Sequence, residues 1–285
     1  MGFTENYFQS QDGLSLYYRS YGSGGNVVLC LPGFTRNSKD FHEIASHLAT
    51  RHQVLCPDLR GRGQSEYDPD WQNYIPAVYV EDAWRLIDQL GVNNLTIIGT
   101  SMGGLMAMIM ASQRPQTVNA VVLNDIGPEV DPAGYARILT SAGSQFAVKN
   151  WPEAVQQCRQ AHLPMLPDKP AEFWQEFTRK TYRNNEAGEP EFEMDANVFK
   201  VFTEAKPERV GGSPVDPWDA FRAVSMPCLV LRGELSDLLS AKIVGRMMAV
   251  KTDLVHVLVP QRGHAPLLDE VEAVTAIDSF FVQLA

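Results

Sequence analysis

Short, continuous apolar runs recur along this chain, and between most of them lie stretches whose apolar residues stand three and four apart. The runs predict buried strands and the spaced stretches predict helices. Residues 7–11 and 14–21, joined around Asp12-Gly13, read as a hairpin. A buried strand at 26–31 ends at Pro32-Gly33-Phe34, and a helix with Phe41, Ile44, Ala45 and Leu48 on one face follows it. The next strand is 53–56, a helix covers 79–90 and stops at Gly91, and further strands fall at 95–99 and 118–124. The alternation then lapses. Residues 126–225 carry proline punctuation and helical spacing, with Phe173 and Phe177 four apart and Val198, Val201, Phe202 and Ala205 as one stripe. The polar run 184–191, with Gly188 and Pro190, reads as an exposed connection. From 227 the alternation resumes: a strand to Gly233, a helix at 240–250, a strand at 254–259 and a last helix from Glu270.

Strands that are apolar throughout and separated by helices imply a mostly parallel sheet covered on both faces, an α/β fold. The expected organisation is a core domain made of residues 1–125 and 226–285, with 126–225 inserted between two strands at the edge where their C-terminal ends point.

With 285 residues and a hydrophobic content of 45%, the chain can bury a large core. Its formal charge of −10 argues against a nucleic-acid or anionic-membrane partner. Cys30, Cys56, Cys158 and Cys228 lack metal-type spacing, and three of them lie in apolar runs, which predicts buried free thiols. The N-terminus has no signal-peptide pattern and no run approaches the ~18 apolar residues of a membrane span. The expected location is cytoplasmic, with no bound cofactor and no metal; the oligomeric state is not encoded in any of these features.

Chemistry concentrates at Gly99-Thr100-Ser101-Met102-Gly103, a G-x-S-x-G pattern between a β-branched run and a helix. Such a turn lifts a serine hydroxyl clear of the backbone and predicts φ > 0 at Ser101, at a cost of about 1–3 kcal/mol. Glycine is expected at 99 and 103 because strand and helix pack closest there. A serine nucleophile needs a base. Of six histidines, only His264 follows the C-terminal end of a strand in a turn, Gln261-Arg-Gly-His-Ala-Pro266, where catalytic groups collect in open α/β sheets. The orienting acid should lie between Ser101 and His264 in the chain. Asp237, after the penultimate strand, is the first choice, Asp125 the rival and Glu234 third. Oxyanion donors are expected from the Met102 N–H at the helix start and the Phe34 N–H after Pro32-Gly33. The segment Asp58-x-x-Gly61-x-Gly63-x-Ser65 lacks the lysine of a phosphate loop and reads as a structural turn.

Leu31-Pro-Gly-Phe34, Asp58-Leu-Arg-Gly-Arg-Gly-Gln-Ser65, the serine turn, Arg232-Gly-Glu-Leu-Ser-Asp237 and Gly263-His264 together resemble the α/β-hydrolase superfamily, over nearly the whole chain outside the insertion. The resemblance implies an eight-stranded sheet, a helical cap over the site and a Ser101–His264–Asp237 triad. Pro32-Gly33 departs from the His-Gly that family members often carry. Serine at the turn argues against the family's haloalkane dehalogenase and epoxide hydrolase branches, which use aspartate there. Ala265-Pro266 departs from the aromatic residue that commonly follows the histidine in meta-cleavage carbon–carbon hydrolases, although Arg137 and Lys149 could serve the carboxylates of such substrates. Phe146, Met165, Phe173, Trp174, Phe177, Phe199 and Phe202 offer an apolar pocket or simply pack the cap onto the sheet.

The expectation is a carboxylesterase of small-molecule esters with an apolar part, working through an acyl-enzyme. Its rate should rise as pH climbs through a pKa of roughly 6.5, because the histidine must be neutral. A same-fold hydrolase of a lactone, thioester or carbon–carbon bond is the alternative, and a non-catalytic ligand-binding protein on the same scaffold is a third reading.

Overall fold

In a computed structural model, residues 2–142, 148–204 and 216–284 are described. Eight strands form one sheet: β1 (Phe3–Gln9), β2 (Ser15–Tyr21), β3 (Val27–Leu31), β4 (Gln53–Pro57), β5 (Leu95–Thr100), β6 (Val118–Asn124), and two later strands at Cys228–Gly233 and Val255–Val259. The sheet runs β1-β2-β4-β3-β5-β6 and then the two later strands in sequence order. β1 and β2 pair antiparallel, as do β2 and β4, and every other neighbouring pair is parallel. This is the expected fold class. The hairpin enters the sheet four residues earlier than its apolar pattern suggests, because β1 is an edge strand whose outer positions remain exposed.

The strand interiors β3, β5 and β6 are almost wholly buried, as an apolar run sandwiched between helix layers must be. One face packs under helix α1 (His42–Leu48) and the C-terminal helix Val271–Gln283, with Ile44, Leu48, Ile277 and Phe280 against Val28, Val54, Ile98 and Val122. The other face packs under α2 (Pro76–Gln89) and α3 (Met102–Gln113), with Leu86, Ile87, Met106 and Met110 against Leu29, Leu55, Ile97 and Val121. Helix α3 is apolar on nearly all sides because it is covered on all of them.

Between β6 and the strand Cys228–Gly233 lie α4 (Pro132–Ala142), α5 (Trp151–His162), α6 (Ala171–Arg179) and shorter helical pieces at Lys200–Thr203 and Pro217–Arg222. The segment also holds a small antiparallel pair, β7 (Tyr182–Asn184) and β8 (Pro190–Phe192). The exposed connection expected at 184–191 is therefore the tip of a hairpin, too short and too polar to register as strand; Gly188 at φ +79° makes its turn. Phe146 and Ala205 lie outside the described residues.

The Asp58 loop is the structural turn expected. The buried Asp58 carboxylate accepts from the Ser38 N–H at 2.7 Å and the Gln64 N–H at 2.9 Å, and a Cβ on Gly63 would sit 2.1 Å from it. The same loop sends Arg60 into a bidentate pair with Asp82 (2.7 Å on both nitrogens) and Arg62 to the Tyr79 hydroxyl and the Phe34 carbonyl. All four cysteines are buried free thiols. Among the described residues no helix is long and apolar enough to cross a membrane.

Candidate active site

The serine turn has the expected shape. β5 ends at Thr100, α3 starts at Met102, and Ser101 between them has φ 53° and ψ −119°. The close approach is severe: a Cβ on Gly99 would lie 2.3 Å from the Gly103 carbonyl oxygen, and one on Gly103 would lie 2.1 Å from that of Leu31. No rotamer relieves a clash between Cβ and backbone, so glycine is dictated at both positions.

His264 stands five residues beyond the strand Val255–Val259, with its side chain 8% exposed. Its Nε2 is 2.8 Å from Ser101 Oγ. Its loop is pinned from several sides. Arg262 is buried against Glu270 (2.7 Å) and also pairs with Asp168 (2.6 Å), while the Glu270 carboxylate accepts from the Leu267 and Leu268 N–H groups. Asn124, fully buried at the end of β6, donates to both Thr100 Oγ1 (3.0 Å) and the Pro266 carbonyl (2.9 Å), joining the serine strand to the histidine loop.

The acid opposite the imidazole is Asp125, not Asp237. Asp125 follows β6 directly at φ 55°, is fully buried, and its Oδ2 lies 2.8 Å from His264 Nδ1. The Ser236 hydroxyl donates to the same oxygen at 2.6 Å, and the Gly233 N–H donates to Oδ1 at 2.7 Å. The Asp237 side chain lies about a third exposed, with Oδ2 2.6 Å from Arg137 Nε and Oδ1 2.8 Å from Arg137 Nη2. That guanidinium holds its carboxyl below the usual carboxylate range. The first-ranked acid is thus corrected in favour of its rival. The reason is local: the loop after Gly233 turns donors, an amide and a hydroxyl, toward the histidine's partner, and so surrounds an acid from the neighbouring strand instead of supplying one. Glu234 caps a turn by accepting from the Gln261 N–H at 2.9 Å.

Phe34 and Met102 flank the serine. Met102 opens α3, and Gly33 lies beside the serine, where a Cβ would meet Ser101 Cβ at an ordinary contact distance of 3.7 Å. Arg62, fully buried, holds the Phe34 carbonyl at 3.1 Å and lies over the Phe34 ring.

A cavity of about 180 Å³ opens over Ser101 and His264. Phe34 and Leu267 line it from the sheet side, and Ile138, Met165, Phe173, Phe177 and Phe199 from the segment between β6 and Cys228–Gly233. Trp174 is turned away from it, buried with Cys158, Leu166 and Phe177. Two further groups line the cavity without having been singled out from sequence. Arg36 pairs with Asp40 (2.7 Å) and lies 4.5 Å over the Phe177 ring; His162 closes the end of α5. Neither carries a local sequence signal, since Arg36 sits in a polar loop and His162 at a helix end where basic residues are common. No cluster of His, Cys, Asp or Glu placed to hold a metal ion occurs among the described residues.

Comparison with known proteins gives a consistent picture. Residues 26–271 match a family described as the alpha/beta hydrolase fold. A 3-hydroxybutyrate-oligomer hydrolase of Cupriavidus necator is 32% identical over 269 residues, 93% of this chain and 92% of that protein. A 2-(acetamidomethylene)succinate hydrolase of Mesorhizobium japonicum is 27% identical over 88% of this chain and 85% of that one. Among solved structures, an alpha/beta hydrolase from Novosphingobium aromaticivorans superposes with a TM-score of 0.91 over 99% of both chains, at 36% identity.

Proposed function

Because this chain belongs to the α/β-hydrolase-fold family, we propose that it is a serine hydrolase that cleaves carboxylic esters through an acyl-enzyme. The observation that carries the reading is the unbroken hydrogen-bonded line Ser101 Oγ–His264 Nε2–His264 Nδ1–Asp125 Oδ2, at 2.8 Å for each contact between side chains. In the proposed cycle, Ser101 Oγ attacks the ester carbonyl and its proton passes to His264 Nε2, while Asp125 stabilises the imidazolium and holds its orientation. The tetrahedral oxygen is received by the Met102 and Phe34 amides, in line with the helix start at Met102 and the tethered Phe34 peptide. The proton on Nε2 then goes to the departing alcohol. Water, deprotonated by the same nitrogen, attacks the acyl-enzyme, and collapse returns the proton to Ser101 and frees the acid. Water is the only co-reactant this balance requires.

The residues 126–225 act in this reading as a helical cap, since their apolar side chains form the cavity roof. The cavity's size fits a short acyl group. The likeness to the hydrolase of 3-hydroxybutyrate oligomers favours esters of short hydroxy acids among the small-molecule substrates. The test is covalent labelling by a fluorophosphonate together with turnover of p-nitrophenyl esters of two to eight carbons. We expect labelling at Ser101, fastest turnover at the short end, and a fall of about 10⁴–10⁶ in kcat for Ser101→Ala and His264→Ala. Labelling elsewhere, or turnover that survives Ser101→Ala, overturns the proposal.

A further inference from the structure

His162 is held in one orientation and one tautomer. Its Nδ1 lies 2.8 Å from the Cys158 carbonyl oxygen one helical turn earlier, and a carbonyl can only accept, so Nδ1 carries the hydrogen. The ring packs edge-on to Phe177, centroids 5.1 Å apart, and the guanidinium of Arg36 covers the same Phe177 ring. Burial, and then the positive charge of Arg36, push its pKa down to about 4; the Cys158 carbonyl and Asp40 pull the other way, and Arg137 adds a smaller push down. At neutral pH the imidazole is therefore uncharged, with a bare lone pair on Nε2. Among the described residues that nitrogen has no hydrogen-bond partner, although the residue lines the cavity that contains Ser101 and His264.

We propose that His162 is a specificity-determining residue whose Nε2 accepts a hydrogen bond from a hydroxyl on the substrate, so that the enzyme prefers esters of hydroxy acids over their deoxy counterparts. The inference rests on the ester-hydrolase reading above and adds to it the group that does the selecting. An acceptor in a mainly apolar wall recognises a donor, and an ester without one leaves Nε2 desolvated and unpaired. Among donors, the two nearby guanidinium groups disfavour an ammonium, and of the neutral donors that remain, a hydroxyl is the one that the short hydroxy-acid esters proposed above carry.

The experiment compares kcat/KM for p-nitrophenyl 3-hydroxybutyrate and p-nitrophenyl butyrate, which differ by one hydroxyl. The wild-type protein should favour the hydroxy ester by about tenfold, the size expected of one neutral hydrogen bond in such a site. His162→Phe should bring the ratio to about one, and His162→Gln, which offers an amide oxygen, should restore part of it. Ligand-observed NMR of the Ser101→Ala protein with methyl 3-hydroxybutyrate and methyl butyrate reads the same preference without turnover. Failure of the ester chemistry would thus leave the hydroxyl preference in binding, whereas failure of the recognition would leave turnover without preference. A wild-type ratio near one in both assays, or a ratio that His162→Phe leaves unchanged, overturns the proposal.

Discussion

Asp125 and Asp237 both stand where a strand of the sheet gives way to a loop, yet they meet opposite surroundings. Asp125 is fully buried at the base of the site, where an amide, a hydroxyl and an imidazole converge on its two oxygens. Asp237 lies toward the rim, where one flexible arginine from α4 takes both its oxygens in partial contact with solvent. The first arrangement is made by backbone and short side chains, costs little entropy to hold and excludes water. The second joins a long side chain to a loop and is screened. The difference teaches that position at a strand end admits a carboxylate to the neighbourhood of the site, while depth and the donors around it decide what it does there.

The comparison breaks most sharply on a pair of substitutions. Asp125→Asn should lower kcat by about 10⁴, since the amide nitrogen offers His264 Nδ1 a donor where it needs an acceptor. Asp237→Asn should lower it less than tenfold, because only a partly exposed ion pair worth about 0–1 kcal/mol is lost. Steady-state kinetics on the two proteins decides, and the reverse order would return the acid's role to Asp237.

A smaller effect separates the rigid sheet rim from its outer helices. Gly103→Ala places a methyl 2.1 Å from the Leu31 carbonyl oxygen and should cost about 1–3 kcal/mol or more. Gly245→Ala, in the helix Ala241–Val250 with open space around it, should instead stabilise by about 0.5–1 kcal/mol. Denaturant melts that rank the two alike would contradict the packing argument at the serine turn.

An effect confined to acid pH concerns the end of α5. His162 has a folded-state pKa near 4 against an ordinary value of 6.5, so between those values the unfolded chain binds the extra proton. Its contribution to stability is present in full above about pH 6.5 and is lost as pH falls toward 4, below which no further loss arises from this group. His162→Phe should therefore flatten the thermal stability profile over that window. An unchanged slope would mean that the ring is hydrated when folded.

Most of the sheet was legible because burial on both faces leaves short, β-branched apolar runs such as β6, while the helix α2 shows the spaced apolar positions of an element covered on one side. Ser101 and His264 were legible because the chemistry of each needs a particular local turn, and glycine records the turn. The pair β7–β8 was hidden by its brevity, and the roles of Arg36, Asn124 and Ser236 by the fact that each depends on partners far along the chain.

What the sequence determined by itself, then, is whatever rests on neighbours along the chain: strand and helix periods, the strained turn at Ser101, and the glycines that permit it. The tertiary structure decided between Asp125 and Asp237 and built the cavity wall around His162. Both outcomes depend on which dipoles and charges converge on one point from separate strands and helices, and no local pattern encodes the direction from which a distant donor arrives.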